Sequence, residues 1–260
     1  GCGMNLREQY VAFLTIVRKE IKRYLRIWTQ TLLPSAITMS LYFVIFGTLI
    51  GSRIGKMGGF TYMEFVVPGL IMMAIVTNSY SNVVSSFYGS KFGRSVEELL
   101  VSPVSNFVIL MGYVVGGVSR GLLVAVVVTL VALFFTHLQI HSYVVVVAVV
   151  LLTSTLFSLA GFINAVYANS FDDISIIPNF VLTPLTYLGG VFYSMDMLPP
   201  FWANVSKLNP LVYVVNAFRY GVLGVSDVSL PLAFGMITFF TAVAFAYSMH
   251  LLNSGTRLRE

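Results

Sequence analysis

The sequence predicts an all-α integral membrane protein with six transmembrane helices, and three observations predict it. Hydrophobic residues make up 57% of the 260 positions and charged residues only 10%, where a soluble domain carries about 25% charge to cover its surface. The mean hydropathy is +0.88. The apolar residues gather in long runs, each sufficient to cross a hydrocarbon core of about 30 Å, and Lys and Arg gather at their ends.

The chain opens with Gly1-Cys2-Gly3, which reads as a cloning leader, with Met4 as the native start. Cys2 is the single cysteine, so no disulfide framework and no metal site is predicted. The charged, amphipathic residues after Met4 do not read as a cleavable signal peptide. Residues 4–26 form a first unit. Leu6, Tyr10, Phe13, Val17, Ile21 and Tyr24 recur at helical spacing, and Arg7, Glu8, Arg18, Lys19, Glu20, Lys22, Arg23 and Arg26 fill the rest. Such a basic amphipathic helix is expected to lie in the membrane interface, with its cations among the headgroups. A solvated helix that merely anchors topology is the plainer alternative.

Residues 27–260 form the spanning unit. Its apolar segments run about 27–50, 61–88, 105–136, 141–168, 172–193 and 229–252. The third and fourth exceed a bilayer's need and are expected to tilt or project. The basic residues sort by side. Arg7, Arg18, Lys19, Lys22, Arg23, Arg26, Lys91, Arg94, Arg257 and Arg259 outnumber Arg53, Lys56, Lys207 and Arg219. Both termini are therefore expected in the cytoplasm. Two connections are long. The link at 89–104 sets Lys91, Arg94, Glu97 and Glu98 beside Leu99, Leu100 and Val101 and stops at Pro103, which predicts a short amphipathic helix on the cytoplasmic face. The link at 194–228 is apolar but broken by Pro199-Pro200, Asn209-Pro210 and Gly221, the pattern of re-entrant pieces rather than of spans.

Engines are missing from the pattern. Gly55-Lys56 lacks the first glycine and the hydroxyl of a phosphate-binding loop. The net charge of +5 is spread over the ends of the apolar runs, so no nucleic-acid stripe forms. Gly117-Val118-Ser119-Arg120-Gly121 matches a nucleophile-elbow pattern, which raises an intramembrane serine hydrolase using Ser119 as an alternative. The pattern lies inside one apolar run, however, and the Gly112/Gly116 and Gly117/Gly121 spacings favour close helix packing. Arg120 is the one charge deep in a span, and either packs or serves function.

Thr77, Asn78, Ser81, Asn82, Ser85 and Ser86 repeat at a four-residue step in the second span. They read as one polar stripe, either bonding to neighbouring helices or lining a path. Thr38 and Tyr42 in the first span and Asn179 and Thr183 in the fifth are expected to add to it. Pro178 and Pro184 make the fifth span irregular. A passive channel is a third reading.

One further pattern resembles a known family. Arg94, Glu97, Leu99, Leu100 and Pro103 stand in the order Arg-x-x-Glu-x-Leu-Leu-x-x-Pro, followed by Pro178, Pro184, Gly189-Gly190-Val191-Phe192, Leu198-Pro199, Asn209-Pro210 and Arg219. Nearly the whole chain after Met4 is similar to the membrane subunits of type-two ABC exporters, in particular to the small bacterial permeases among them. The resemblance implies six transmembrane helices per subunit in a homodimer in the bacterial inner membrane. The N-terminal amphipathic helix would be a connecting helix, residues 91–102 a coupling helix, and outer re-entrant helices would occupy 194–224. Two copies of a separate ATPase subunit, carrying ATP and Mg, would dock there, with Arg94, Glu97, Glu98, Leu99 and Leu100 at the coupling contact. The first, second and fifth spans would line a path for a lipid, drug or glycolipid-like substrate moving outward, and the chain would have no catalytic residues of its own.

Overall fold

The computed structural model describes residues 5–93, 98 and 102–255. Helix α1, Leu6–Arg26, starts where the Asn5 side chain accepts from the Glu8 amide at 2.9 Å and ends with Arg23 and Arg26 in its last turn. Both placements suit the helix dipole. The backbone turns at Ile27 into α2, Trp28–Ile54, whose outer part widens into π turns over Phe43–Ile50. Strands β1, Lys56–Met57, and β2, Phe60–Thr61, pair across Gly58 and Gly59 at positive φ, as a two-residue hairpin requires.

Helix α3, Tyr62–Phe92, begins at a capping box of Thr61 and Glu64 and is the hub of the bundle. Of its most apolar stretch, 83% is buried, against 11% for α2. Its 31 residues rise about 46 Å, so it is this helix, and not the third or fourth span, that most exceeds the bilayer. The expected third and fourth spans shorten to α4, Asn106–Ala132, and α5, Tyr143–Tyr167. Their ends turn off at Leu133 and Ala168. Helix α6 covers 173–187 as Asp173–Ile177, a π turn at Pro178–Leu182, and Thr183–Tyr187. Next come α7, Pro200–Ser206, α8, Pro210–Leu223, and α9, Leu230–Ser254.

Among the described residues five helices are long and apolar enough to cross a membrane: α2, α3, α4, α5 and α9. The expected span over 172–193 yields a shorter, distorted helix. Proline has no N–H and its ring pushes against the preceding turn, and the π widening at Pro178 absorbs that misfit. After Tyr187 the chain turns at Leu188–Gly190. Arg219 of α8 fixes that turn. It donates from Nη2 to the carbonyls of Gly190 (2.8 Å) and Val191 (3.2 Å) and from Nε to that of Phe65 (3.2 Å), with its carbon 3.9 Å over the Phe65 ring.

Helix α1 packs on the start of α4. Gln9 bonds with Pro103 and Ser105. Ile16 lies against Gly112, Glu20 against Gly116, and the Tyr24 hydroxyl donates to Ser119 Oγ at 3.0 Å. These pairs advance together, so α1 runs alongside the first half of α4 over about 20 Å. A Cβ on Gly112 would come within 2.5 Å of Ile16, and one on Gly117 within 2.3 Å of Ser158. Gly112 and Gly116 thus seat α1, while Gly117 and Gly121 seat α3 and α5, the close packing that such spacing permits.

Candidate functional site

A polar cavity of about 320 Å³ lies between α2, α3 and α6. Its floor is Thr31, Asn78 and Arg120; its walls carry Ser35, Thr38, Thr77, Ser81 and Thr183; its roof is Tyr42 and Tyr187. Thr31 to Tyr42 is eleven residues of α2, about 16 Å of rise. Thr77 is exposed inside α3 although every residue from Phe65 to Val76 is buried, because the cavity opens onto that one face.

The predicted polar stripe separates into two lines. Successive helix positions lie 100° apart, so Thr77, Ser81 and Ser85 form one line and Asn78, Asn82 and Ser86 the next. Thr77 and Ser81 face the cavity. The second line is buried and makes the contacts. Asn78 donates from Nδ2 to Ser35 Oγ and to the Ala74 carbonyl, both at 2.8 Å. Asn82 accepts Arg23 Nη2 on its side-chain oxygen (3.0 Å) and on its carbonyl (3.1 Å). Ser86 donates to Glu20 Oε1 at 2.5 Å. Asn82 is therefore sealed against α1, and Ser85 turns back to the Ser81 carbonyl at 2.6 Å; neither lines the cavity. Asn179 stands exposed on the outside of α6 and does not line it either.

Arg120 is 7% exposed. Its Nη2 donates to Asn78 Oδ1 at 2.9 Å and to the Thr31 carbonyl at 3.4 Å, while its Nε has no acceptor. Among the described residues it forms no ion pair. The charge acting on it most strongly is a second cation, Arg23.

Aromatic rings close the cavity on the side away from the termini. The Tyr42 and Tyr187 hydroxyls hydrogen-bond to each other. The Phe192 ring lies 4.3 Å from Phe46 and 5.9 Å from Tyr187, and Phe46 stacks on Tyr42 at 5.8 Å. Below the floor, Glu20 is 2% exposed between α1, α3 and α4. Burial pushes its carboxyl above the ordinary value, opposed by the Ser86 hydroxyl and by Arg23 and Lys19.

Ser119 does not assemble a nucleophile. Its hydroxyl accepts from Tyr24 and donates to the Gly116 carbonyl at 2.7 Å. His141 packs on Tyr220 and His250 on Tyr247. Of the expected coupling residues, Arg94, Glu97, Leu99 and Leu100 lie outside the described residues. Glu98 is exposed, and its carbonyl accepts the Ser102 amide at 3.2 Å. Lys91 belongs to the last turn of α3 and donates to the carbonyls of Val166 (2.6 Å) and Ala168 (2.8 Å).

Sequence reasoning passed over Thr31 and Ser35, which with Thr38 and Tyr42 repeat at helical spacing along α2 and were detectable that way. It also passed over Tyr187, Phe192 and Glu20. Nothing in the sequence separates Glu20 from the other charges of α1.

A bundle of apolar helices around a cavity floored by one arginine has the architecture of an integral membrane protein. The chain belongs to the ABC-2 type transporter family, whose profile matches residues 11–223. That range takes in every helix from most of α1 to α8 and the whole cavity. The chain is 57% identical over 251 residues to the inner membrane transport permease YadH of Escherichia coli K12, covering 96% of this chain and 98% of that protein. The permease of the same name from Shigella flexneri matches equally over the same shares. Nodulation protein J of Neorhizobium galegae is 22% identical over 243 residues, 92% of each chain.

Proposed function

We propose that this chain is the permease subunit of an ATP-binding cassette exporter in a bacterial inner membrane, moving an amphipathic or hydrophobic molecule outward through the cavity between α2, α3 and α6. The observation that carries the reading is the cavity itself. Thr38 and Thr183 are exposed hydroxyls on the two outlying helices α2 and α6, Thr77 is an exposed hydroxyl in an otherwise buried stretch of α3, and unsatisfied polar groups within a membrane are costly. They belong beside a path and not against lipid tails. Membership of the ABC-2 type transporter family and the likeness to an inner membrane transport permease support the same assignment.

In this reading α6 counts as a sixth crossing, completed by the turn after Tyr187, and both termini are cytoplasmic. The outer faces of α2 and α6 meet those of a second copy. Ile37 and Leu41 on α2 and Phe180 on α6 are 54%, 58% and 75% exposed. Two ATPase subunits, holding ATP and Mg, dock at residues 91–102 and on α1. Arg94, Glu97, Glu98, Leu99 and Leu100 take up their stroke. Closure of the ATPase pair shifts α2 and α6 against the α3 hub, opens the aromatic roof and exposes the cavity outward. Surrounding lipid fills the rest of the surface.

Co-expression tests this with the ATPase gene nearest on the chromosome. The two proteins should co-purify, and ATP hydrolysis in proteoliposomes should require both. Charge reversal at Glu97 and Glu98 should leave the complex intact and uncouple hydrolysis from transport. A chain that conducts ions across a bilayer without ATP is a channel, and this reading then fails.

A further inference from the structure

We propose that the floor of the cavity is a phosphate site, so that the transported amphipath carries an anionic headgroup there. The inference rests on the permease reading and names the chemistry of its substrate. A cation within a spanning segment is costly unless it is paired. Its two interhelical hydrogen bonds, to Asn78 and Thr31, offset only part of that cost at the values typical of membrane bundles. The deficit calls for a further partner. No carboxylate of the described residues pairs with Arg120, and Arg23 adds positive field.

The groups left at the floor are donors. Asn78 Oδ1, the nearest acceptor, is already taken by Arg120. The Ser35 oxygen accepts from Asn78, which leaves its hydrogen for a ligand. Arg120 lines the cavity, its Nε–H buried and without an acceptor, and Gln30 lines it beside Ser35. Guanidinium, hydroxyl and amide donors together match the oxygens of a phosphate group. Above them Pro34, Met39 and Met73 give an apolar wall suited to the start of an acyl chain. The source is a lipid headgroup or free inorganic phosphate, and one experiment separates them.

The chain in dodecyl maltoside is titrated with radiolabelled lysophosphatidic acid. Unlabelled lysophosphatidic acid, monoacylglycerol of the same chain length and inorganic phosphate serve as competitors. Lysophosphatidic acid should bind saturably and resist monoacylglycerol. Failure of millimolar phosphate to displace it assigns the site to a lipid headgroup; displacement at matched concentration assigns it to the free ion. Asn78→Asp sets a carboxylate beside the guanidinium, neutralises it internally, and should weaken binding about tenfold, whereas Arg120→Lys, which keeps the charge but loses the fork, should weaken it less. Equal competition by monoacylglycerol overturns the proposal. So does unchanged affinity in a folded Asn78→Asp protein, and if that variant misfolds the wild-type competition decides. ATPase stimulation of the assembled complex by monoacylglycerol and not by lysophosphatidic acid would sink the phosphate site and leave the permease standing. Absence of any ATPase partner would sink the permease reading while the binding result stands.

Discussion

Among the described residues Arg219 and Glu20 are buried charges away from the cavity, each held by neighbouring helices although Arg219 Nη1 and Glu20 Oε2 have no hydrogen-bond partner. Arg219 satisfies carbonyls from the turn after α6 and from α3, and no other side chain offers that fork. Arg219→Met should lower stability by about 3 kcal/mol, since it strands three buried carbonyls at about 1 kcal/mol or more each. Thermal unfolding in detergent would register it, and a shift within error would remove the anchoring role. Glu20 behaves differently. Its carboxyl is held above the ordinary value, so the folded state binds a proton more tightly than the unfolded chain. Its contribution is therefore fully present below the ordinary carboxylate value and is lost as pH rises through the elevated one. Amide exchange over residues 6–26 should accordingly quicken as pH rises across that interval, after correction for intrinsic exchange. Glu20→Gln keeps an oxygen for Ser86 and should flatten the dependence. An unchanged profile would mean the carboxyl does not titrate there.

At the scale of elements, close approach decides where substitution is tolerated. A Cβ at Gly161 would sit 2.5 Å from the Tyr80 carbonyl oxygen, backbone that has nowhere to go, so Gly161→Ala should destabilise by about 1–3 kcal/mol. Gly89, in the last turns of α3, has open space around it, so Gly89→Ala should be neutral or gain up to about 1 kcal/mol. Parallel melts of the two variants give the comparison, and equal shifts would contradict the packing. The aromatic roof makes a separate prediction. In a Cys2→Ser background, Thr77→Cys should resist a membrane-impermeant maleimide from the roof side, and adding Phe192→Ala should admit it. Equal labelling with and without Phe192 would place the barrier elsewhere. Much at this scale was legible in the chain itself. Long apolar runs announced the spanning helices because hydrocarbon demands them, and Arg120 stood out as a lone charge. The short reach of α6 was hidden because Leu188–Tyr193 is as apolar as a span and only the turn betrays it. The split of the polar residues was hidden because a four-residue step fits two adjoining lines of a helix equally well. The course of α1 was hidden because its docking depends on glycines some 96 positions away, Glu20 against Gly116.

Across the whole molecule the burial is uneven. The hub α3 is enclosed by α4, α5 and α8, whereas α2 and α9 are 11% buried over their apolar stretches. The cavity lies on the loosely held side, walled by the two helices that carry π turns. A wall that moves is therefore expected at α2 and α6 while α3, α4 and α5 hold still. Cysteine pairs test the arrangement. Ile37→Cys and Phe180→Cys, each placed alone in a Cys2→Ser chain, should form disulfide-linked dimers in membranes, and Val126→Cys on α4 should not. The reverse pattern would put the second copy on the other face.

The seat of α1 also sets a timetable for the chain's manufacture. Gly116 leaves the ribosome 96 residues after Glu20, roughly 5–20 seconds later at ordinary rates of synthesis. Through that interval Glu20, Arg23 and Tyr24 have no groove of α4 to enter, and the first helix is expected to wait in the aqueous border of the bilayer. Only when α4 is in place does the segment close onto it and shed that water. The amphipathic, heavily charged make-up that reads as a surface helix thus serves the newborn protein, and the glycine seam serves the finished one.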